Sequence, residues 1–343
     1  MIGIVAHHYV IHSGLMDQVF AEGAGFSPKN IFIVLLGAWG KIGINCFILI
    51  TGYFMCKSKI TLKKFLRVLF EVMFYNVAIN AVFLITGVSD FSLAVIKDAL
   101  LPIDMTSFDF PSSFLIFYLM IPFANILIRH LNKKQHLFFI AVPVVFFSII
   151  PTFSRTAIGM NYLGLFWIVY AIGAYIRLYF PKPNKTYLKH SIIMTITCVS
   201  LVIISVILNL VLGGRNDMYF FIDRPIKLLA ILTAVALFML CINIKMKYHP
   251  IINAIAASTF GVLLIHDNSI PMRHWLWVDK LHVTNMYNSE WLYLHAIIAI
   301  LGVYIVCVGI DRVRMVALEQ PLFKLIGSKI DKADEKFQSW IGN

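Results

Sequence analysis

Four places in this sequence set ionisable side chains among apolar neighbours, and each has a definite chemistry open to it. His7 and His8 are adjacent, and His12 lies one turn beyond His8, so a helix would carry His8 and His12 on one face. An imidazole can take a proton from an attacking hydroxyl and return one to a leaving group. The other use of such a ring is a neutral bond to a neighbouring helix. A second set is His266, Asp267 and Asn268, followed by Arg273 and His274. Adjacent helical residues point in different directions, so His266 and Asp267 make no ready-made dyad. Lys41 stands in the run Gly40-Lys41-Ile42-Gly43-Ile44-Asn45. There it either supplies a cation or snorkels to the surface, while glycines three apart allow close helix packing. The fourth set is the basic cluster Lys57, Lys59, Lys63, Lys64 and Arg67, with Glu71 one turn further on. It could hold the phosphates of a donor, membrane topology alone would also produce it, and Glu71 is expected to pair with its cations. No P-loop, GxSxG elbow or HExxH pattern is present. The five cysteines, Cys46, Cys56, Cys198, Cys241 and Cys307, form no CxxC pair, so neither a metal site nor a disulfide framework is expected.

Composition dictates what must position these groups. Of 343 residues, 60% are apolar and only 13% charged, with a mean hydropathy of +0.83. Soluble domains run at about 45–50% apolar and about 25% charged, so this chain reads as a multi-span membrane protein. Apolar runs fall at about 31–56, 65–87, 111–130, 136–153, 158–178, 190–213, 226–244, 251–270 and 291–310, each long enough for a hydrocarbon layer of about 30 Å. Ile2 to Ile11 has half the length of a span and reads as the outer half of a tenth. The expected fold is all-α, a polytopic bundle of about ten transmembrane helices over 1–310. A tail at 311–343 alternates charge and apolar positions, as a helix lying on the inner membrane surface does.

The net charge of +12 does not indicate nucleic acid, because the cations sit in short gaps between apolar runs. Alternate loops and the tail hold twenty of them against eight on the other side, which puts both termini in the cytoplasm of a multi-pass cell-membrane protein. The longest outer loops are 88–110, with Asp90, Asp98, Asp104 and Asp109, and 267–290, whose Trp275, Trp277 and Tyr287 read as an interfacial aromatic belt. No internal repeat is visible.

The segments AHHYV, GKIGINCFILITGYF and STFGVLLIHDN, with FLIFYLMIPFANILI at 114–128 and DRVRMVALEQPL at 311–322, resemble the membrane-bound acyltransferase family 3. These are ten-helix proteins that O-acylate extracytoplasmic glycans and lipid-linked sugars, and the resemblance extends over nearly the whole chain. The family's signature is an arginine, ten residues and a histidine in the first span. His8 takes the place of that histidine, and the arginine would fall four residues before Met1, in keeping with the half-length first span and a start set too late. Thr51-Gly52-Tyr53 stands where the family has Ser-Gly-Phe. Lys63, Lys64 and Arg67 stand where it has two arginines and a proline, and Arg67 is the residue that carries over.

The resemblance implies acetyl-CoA or another acyl-CoA as cytoplasmic donor, with no tightly bound cofactor. Arg67, Lys63 and Lys64 would hold its phosphates, and His8, with His7 beside it, would act as general base or relay the acyl group. His266, Tyr53 and Tyr118 would lie on the acceptor side. The acceptor would be a cell-surface polysaccharide or a lipid-linked sugar. The competing expectations are a transporter or flippase for a lipid-linked sugar or small solute, and a membrane sensor that only binds its ligand.

Overall fold

The computed structural model describes residues 1–21, 25–101, 103, 109–154, 159–180, 183–212 and 217–341. Asp104, Arg155, Lys182 and Arg215, and the side chain of Asp98, lie outside the described residues. Helix makes up 80% of the protein and no strand occurs among the described residues, so the fold is all-α. Seven helices are long and apolar enough to cross a membrane. They are α2 (Pro28–Gly37) running with a two-residue break into α3 (Gly40–Met55), α4 (Leu62–Ile85), α5 (Phe110–His130), α6 (Lys133–Ser154), α7 (Tyr162–Tyr179), α8 (Lys185–Val211) and α12 (Leu292–Arg314), which continues to Leu325. The apolar helices α1 (Ile2–Ile11) and α9 (Leu228–Asn243) are shorter. The run expected as a single span over 251–270 is broken into α10 (Pro250–Ala257) and α11 (Thr259–His266). The break falls where Ser258 leaves helical geometry and the Thr259 hydroxyl donates back to the Ala256 carbonyl.

Helix starts are written in local chemistry. Ser27, Thr61, Asp109, Asn132, Asn161 and Asn184 each accept from a first-turn N–H, and Asn132 with Gln135 closes a reciprocal capping box. In a bilayer every backbone group must find a partner inside the chain, so such caps belong at the membrane faces. Burial sorts the helices. Half or more of the apolar window is inside the protein for α3, α5 and α7, against 17% for α4 and α6. The first three form the centre, and the others turn Phe138, Val82 and similar residues outward, toward lipid in the bilayer. Helices α3 and α7 cross closely at Gly52 and Gly173, where a Cβ would meet the backbone of the other helix. Gly43 makes room for Ile4 and Gly40 for the His7 ring, which sets α1 against the start of α3.

Two local expectations are corrected. Trp277 is fully buried and Tyr287 nearly so; Trp277 packs edge-on against Tyr9, and the Tyr287 hydroxyl donates to Asn30. The 267–290 segment is therefore folded onto the bundle through short helical turns, not laid out as an interfacial belt. Glu71 pairs with Arg314 at 3.4 Å, not with the cations one turn before it. Helix α12 runs through residue 311 without interruption, and Asp311 and Arg314 are buried. The tail's own helix, α13 (Gly327–Ile341), packs on the start of α4.

Candidate active site

Helix α1 delivers its three histidines to three neighbours. The His7 Nδ1–H donates to the Gly37 carbonyl at 2.5 Å, filling the break between α2 and α3. His8 Nδ1 lies 3.0 Å from His266 Nε2 at the end of α11. His12 Nε2 lies 3.5 Å from Asp267 Oδ1. The break at Ser258 and the end of α11 at His266 thus matter to the site, because they hold the next residue, Asp267, at the mouth of the bundle beside α1. Asn268 donates to Asn76 at 3.2 Å and ties that turn to α4.

The hydrogen bonds assign the tautomers. His266 Nδ1 is 2.5 Å from the Val262 carbonyl, an oxygen that can only accept, so Nδ1 carries the hydrogen. In the neutral ring Nε2 is then a bare acceptor. His8 must donate to it from Nδ1, which leaves His8 Nε2 with a free lone pair and no hydrogen-bond partner among the described residues. Asp267 stands behind this pair. Its Oδ1 accepts from Arg273 Nε at 2.6 Å and lies 3.7 Å from His8 Nδ1, so a proton gained by His8 would meet a carboxylate already oriented by a guanidinium. A ring with a fixed tautomer, a free basic nitrogen and a carboxylate in reserve is built for proton transfer.

His7, His8, His12, Lys41, Asp267 and Arg273 line a cavity of about 240 Å³ walled by Ile4, Ile44, Phe110, Tyr162 and Leu263. His8, His12 and Asp267 also bring their ligand atoms within 4.8 Å of one another, close enough to hold a metal ion. In the structure His8 Nδ1 is bonded to His266 and Asp267 Oδ1 to Arg273.

The other expected site residues are distributed as follows. His266 is fully buried and does not line the cavity; it meets the cavity wall through its contact with His8. Tyr53 is thirteen residues along α3 from Gly40, about 20 Å at 1.5 Å per residue, and sits at the opposite end of the bundle. There Arg177 donates to its hydroxyl at 3.1 Å, and both line a separate cavity of about 180 Å³ with Tyr187 and Asn243. Tyr118 is buried on α5 against Phe65 and Phe114, away from the histidines. Lys63, Lys64 and Arg67 gather at the start of α4, and none lines the histidine cavity. Lys63 faces Asp331 at 3.6 Å, Lys64 donates to the Lys59 carbonyl at 2.8 Å, and Arg67 lies 3.8 Å from Glu319.

Sequence reading passed over two features. Asp267 and His12 were visible, but only the approach of α11 to α1 reveals that both lie beside His8. A second buried cluster joins Arg314 to Asp311 at 3.0 Å, Glu319 at 2.6 Å and Glu71 at 3.4 Å, with the Tyr75 hydroxyl donating to Asp311 at 2.9 Å. Its signal was an aspartate and an arginine three apart at the end of an apolar run, followed by a glutamate that a π-helical turn at Met315–Glu319 brings back.

Comparison with known proteins adds one match: a family model described as "Acyltransferase domain" covers residues 1–312. No curated protein and no solved structure gives a significant match.

Proposed function

The chain belongs to acyltransferase family 3, and from that membership we propose that it is an integral-membrane O-acyltransferase moving an acetyl group from cytoplasmic acetyl-CoA to a hydroxyl of an extracytoplasmic polysaccharide or lipid-linked sugar. The observation that carries this reading is His8, whose Nε2 is left with a free lone pair by the bond its Nδ1 gives to His266, at the wall of a cavity.

Donor phosphates would be held at the start of α4 by Arg67, with Lys63 and Lys64, through charge-assisted hydrogen bonds. From Arg67 to Asn76, which holds the turn next to Asp267, is nine residues of α4, or about 14 Å. An extended pantetheine arm covers that span and would bring the thioester to His8. The acceptor hydroxyl enters the cavity and gives its proton to His8 Nε2 as its oxygen forms a bond to the thioester carbonyl carbon. Asp267, fixed by Arg273, stabilises the resulting imidazolium. Collapse of the tetrahedral intermediate breaks the carbon–sulfur bond, and His8 returns the proton to the departing thiolate. The products are the ester and the free thiol, with no net proton change.

The test is transfer of labelled acetate from acetyl-CoA to cell-surface glycan by membranes carrying equal amounts of wild type and His8→Ala. A general base contributes about 10²–10⁴-fold, so a loss of at least about 100-fold is expected. Full transfer by the variant would overturn the role of His8. Acetate content that survives deletion of the gene, with sugar export lost, would turn the reading to a flippase.

A further inference from the structure

Among the described residues, the side chains that line the histidine cavity carry more positive than negative charge. Two cations line it, Lys41 and Arg273, against a single carboxylate, Asp267. Asp267 is already taken by Arg273 at 2.6 Å, with His12 at 3.5 Å and His8 at 3.7 Å on the same oxygen. The acid on the loop before α9, Asp223, is engaged by Arg224 and Lys227. Lys41 makes no hydrogen bond or ion pair among the described residues; Asp267 and Asp223 attract it only at longer range, so its three N–H donors are free. Arg273 spends Nε and Nη2 on Asp267 and keeps further donors.

Lys41 can snorkel from this position, but among the described residues it makes no contact that fixes the fold. It is the second residue of α3, at the positive end of the helix dipole, where a cation is disfavoured. The packing at this point is done by its neighbours Gly40 and Gly43, against His7 and Ile4. An unpaired ammonium in a partly closed cavity is costly unless a ligand completes it.

Resting on the transferase reading above, we propose that the acceptor bound in this cavity is an acidic glycan, carrying a carboxylate or phosphate next to the hydroxyl that is acylated, and that Lys41 with the free donors of Arg273 binds that anionic group. The pairing sets the hydroxyl against His8 Nε2, since all three side chains line one cavity.

The experiment compares purified wild-type protein, Lys41→Met and Lys41→Arg in detergent. The acceptors are an alkyl glucoside, the matching alkyl glucuronide and an alkyl glucosyl phosphodiester, read both as acetyl transfer from acetyl-CoA and as equilibrium binding of the labelled acceptor. Wild type should prefer an anionic acceptor by at least about 10-fold in kcat/KM, the scale of one charge-assisted hydrogen bond. That preference should fall to about 2-fold or less in Lys41→Met and return in Lys41→Arg. Whether the glucuronide or the phosphodiester gains more tells whether a sugar carboxylate or a phosphate is the source of the charge.

Equal use of neutral and anionic acceptors by wild type, or a preference that survives Lys41→Met, overturns the proposal. So does a Lys41→Met defect of the same size with all three acceptors, which would put the ammonium on the reacting carbonyl oxygen instead. Lys41-dependent binding of the anionic acceptor without transfer to any acceptor supports the anion site while refuting the transferase reading.

Discussion

Two clusters of ionisable side chains sit at either end of α11, and they are built on opposite charge ratios. At one end His266 and the adjoining Asp267 meet α1, where a single carboxylate serves a guanidinium and two imidazoles. At the other, Gly261 packs against Asp311, and a single guanidinium, Arg314, serves three carboxylates. The first cluster borders a cavity; the side chains of Asp267 and Arg273 are 17% and 34% exposed. The second has a buried centre, with Arg314 at 2% and Asp311 at 0%, and lines no cavity described above. Both place charge where a membrane protein has to account for it, so depth alone does not separate chemistry from architecture. What separates them is room for a substrate and a nitrogen left free. Arg314 clamps α4, α12 and the turn after α12 onto one point.

The comparison breaks most readily at Arg314. Removing one partner from a buried ion cluster leaves the others uncompensated and costs about 3–5 kcal/mol. Arg314→Leu should therefore lower the melting temperature and membrane abundance sharply, as read by thermal unfolding of the detergent-solubilised protein. A stable, abundant Arg314→Leu protein that has lost transfer would place chemistry in the inner cluster and end the distinction. Next in size is His8→Ala, with transfer reduced at least about 100-fold and the melting temperature little changed, because His8 borders a cavity and is not locked in the core. A large drop in melting temperature would make His8 a second clamp.

His266 sharpens the same contrast. It was expected on the acceptor side, yet it is fully buried and reaches the cavity only through His8. His266→Leu removes the acceptor for His8 Nδ1–H and frees His8 to take the wrong tautomer. The expected result is a fall in kcat of about 10-fold or more with the KM for acceptor unchanged, because general-base efficiency depends on the basic nitrogen facing the hydroxyl. His266→Gln keeps an accepting oxygen and should recover part of the rate. A raised KM with intact kcat would return His266 to the acceptor.

The candidates at this site were legible because polar residues are rare in such a chain, and His8, His12, Lys41, His266, Asp267 and Arg273 each stood out among apolar neighbours. Which of them meet was not legible, since α1 and α11 are joined only by the tertiary fold, His8 and His266 being 258 positions apart. The same gap misdirected Glu71. Three cations stood within eight residues of it, but its partner is Arg314, on a different helix. Helix boundaries were readable from apolar run length wherever a run was uniform. Runs that change geometry inside were not, as at Ser258 and at the π-helical turn after Arg314, because a hydropathy window averages over the residue that breaks the helix. Tyr53 was placed by a motif, which fixes position along α3 and says nothing of which end of the helix faces the histidines.

The smallest effect is expected where the tail meets the donor cations. Asp331 faces Lys63 at 3.6 Å, and Asp334 Oδ1 accepts from the Leu62 N–H, the first of α4, at 2.7 Å. A free N–H at a helix start and a lysine beside it are also what a phosphate seeks, so these two carboxylates occupy part of the ground that donor phosphates would use. The ion pair is exposed, with side chains 34% and 62% accessible, and such pairs are worth about 0–1 kcal/mol. Competition of that strength changes apparent affinity by only a few-fold. The double variant Asp331→Asn, Asp334→Asn should lower the KM for acetyl-CoA by about 2–3-fold with kcat unchanged. An unchanged KM would move the donor phosphates off the start of α4, and the Arg177 cavity with Tyr53, Tyr187 and Asn243 is the place they would go. Arg177→Ala decides between the two: it should leave the KM for acetyl-CoA where it is if Lys63 and Arg67 hold the donor, and raise it if Arg177 does.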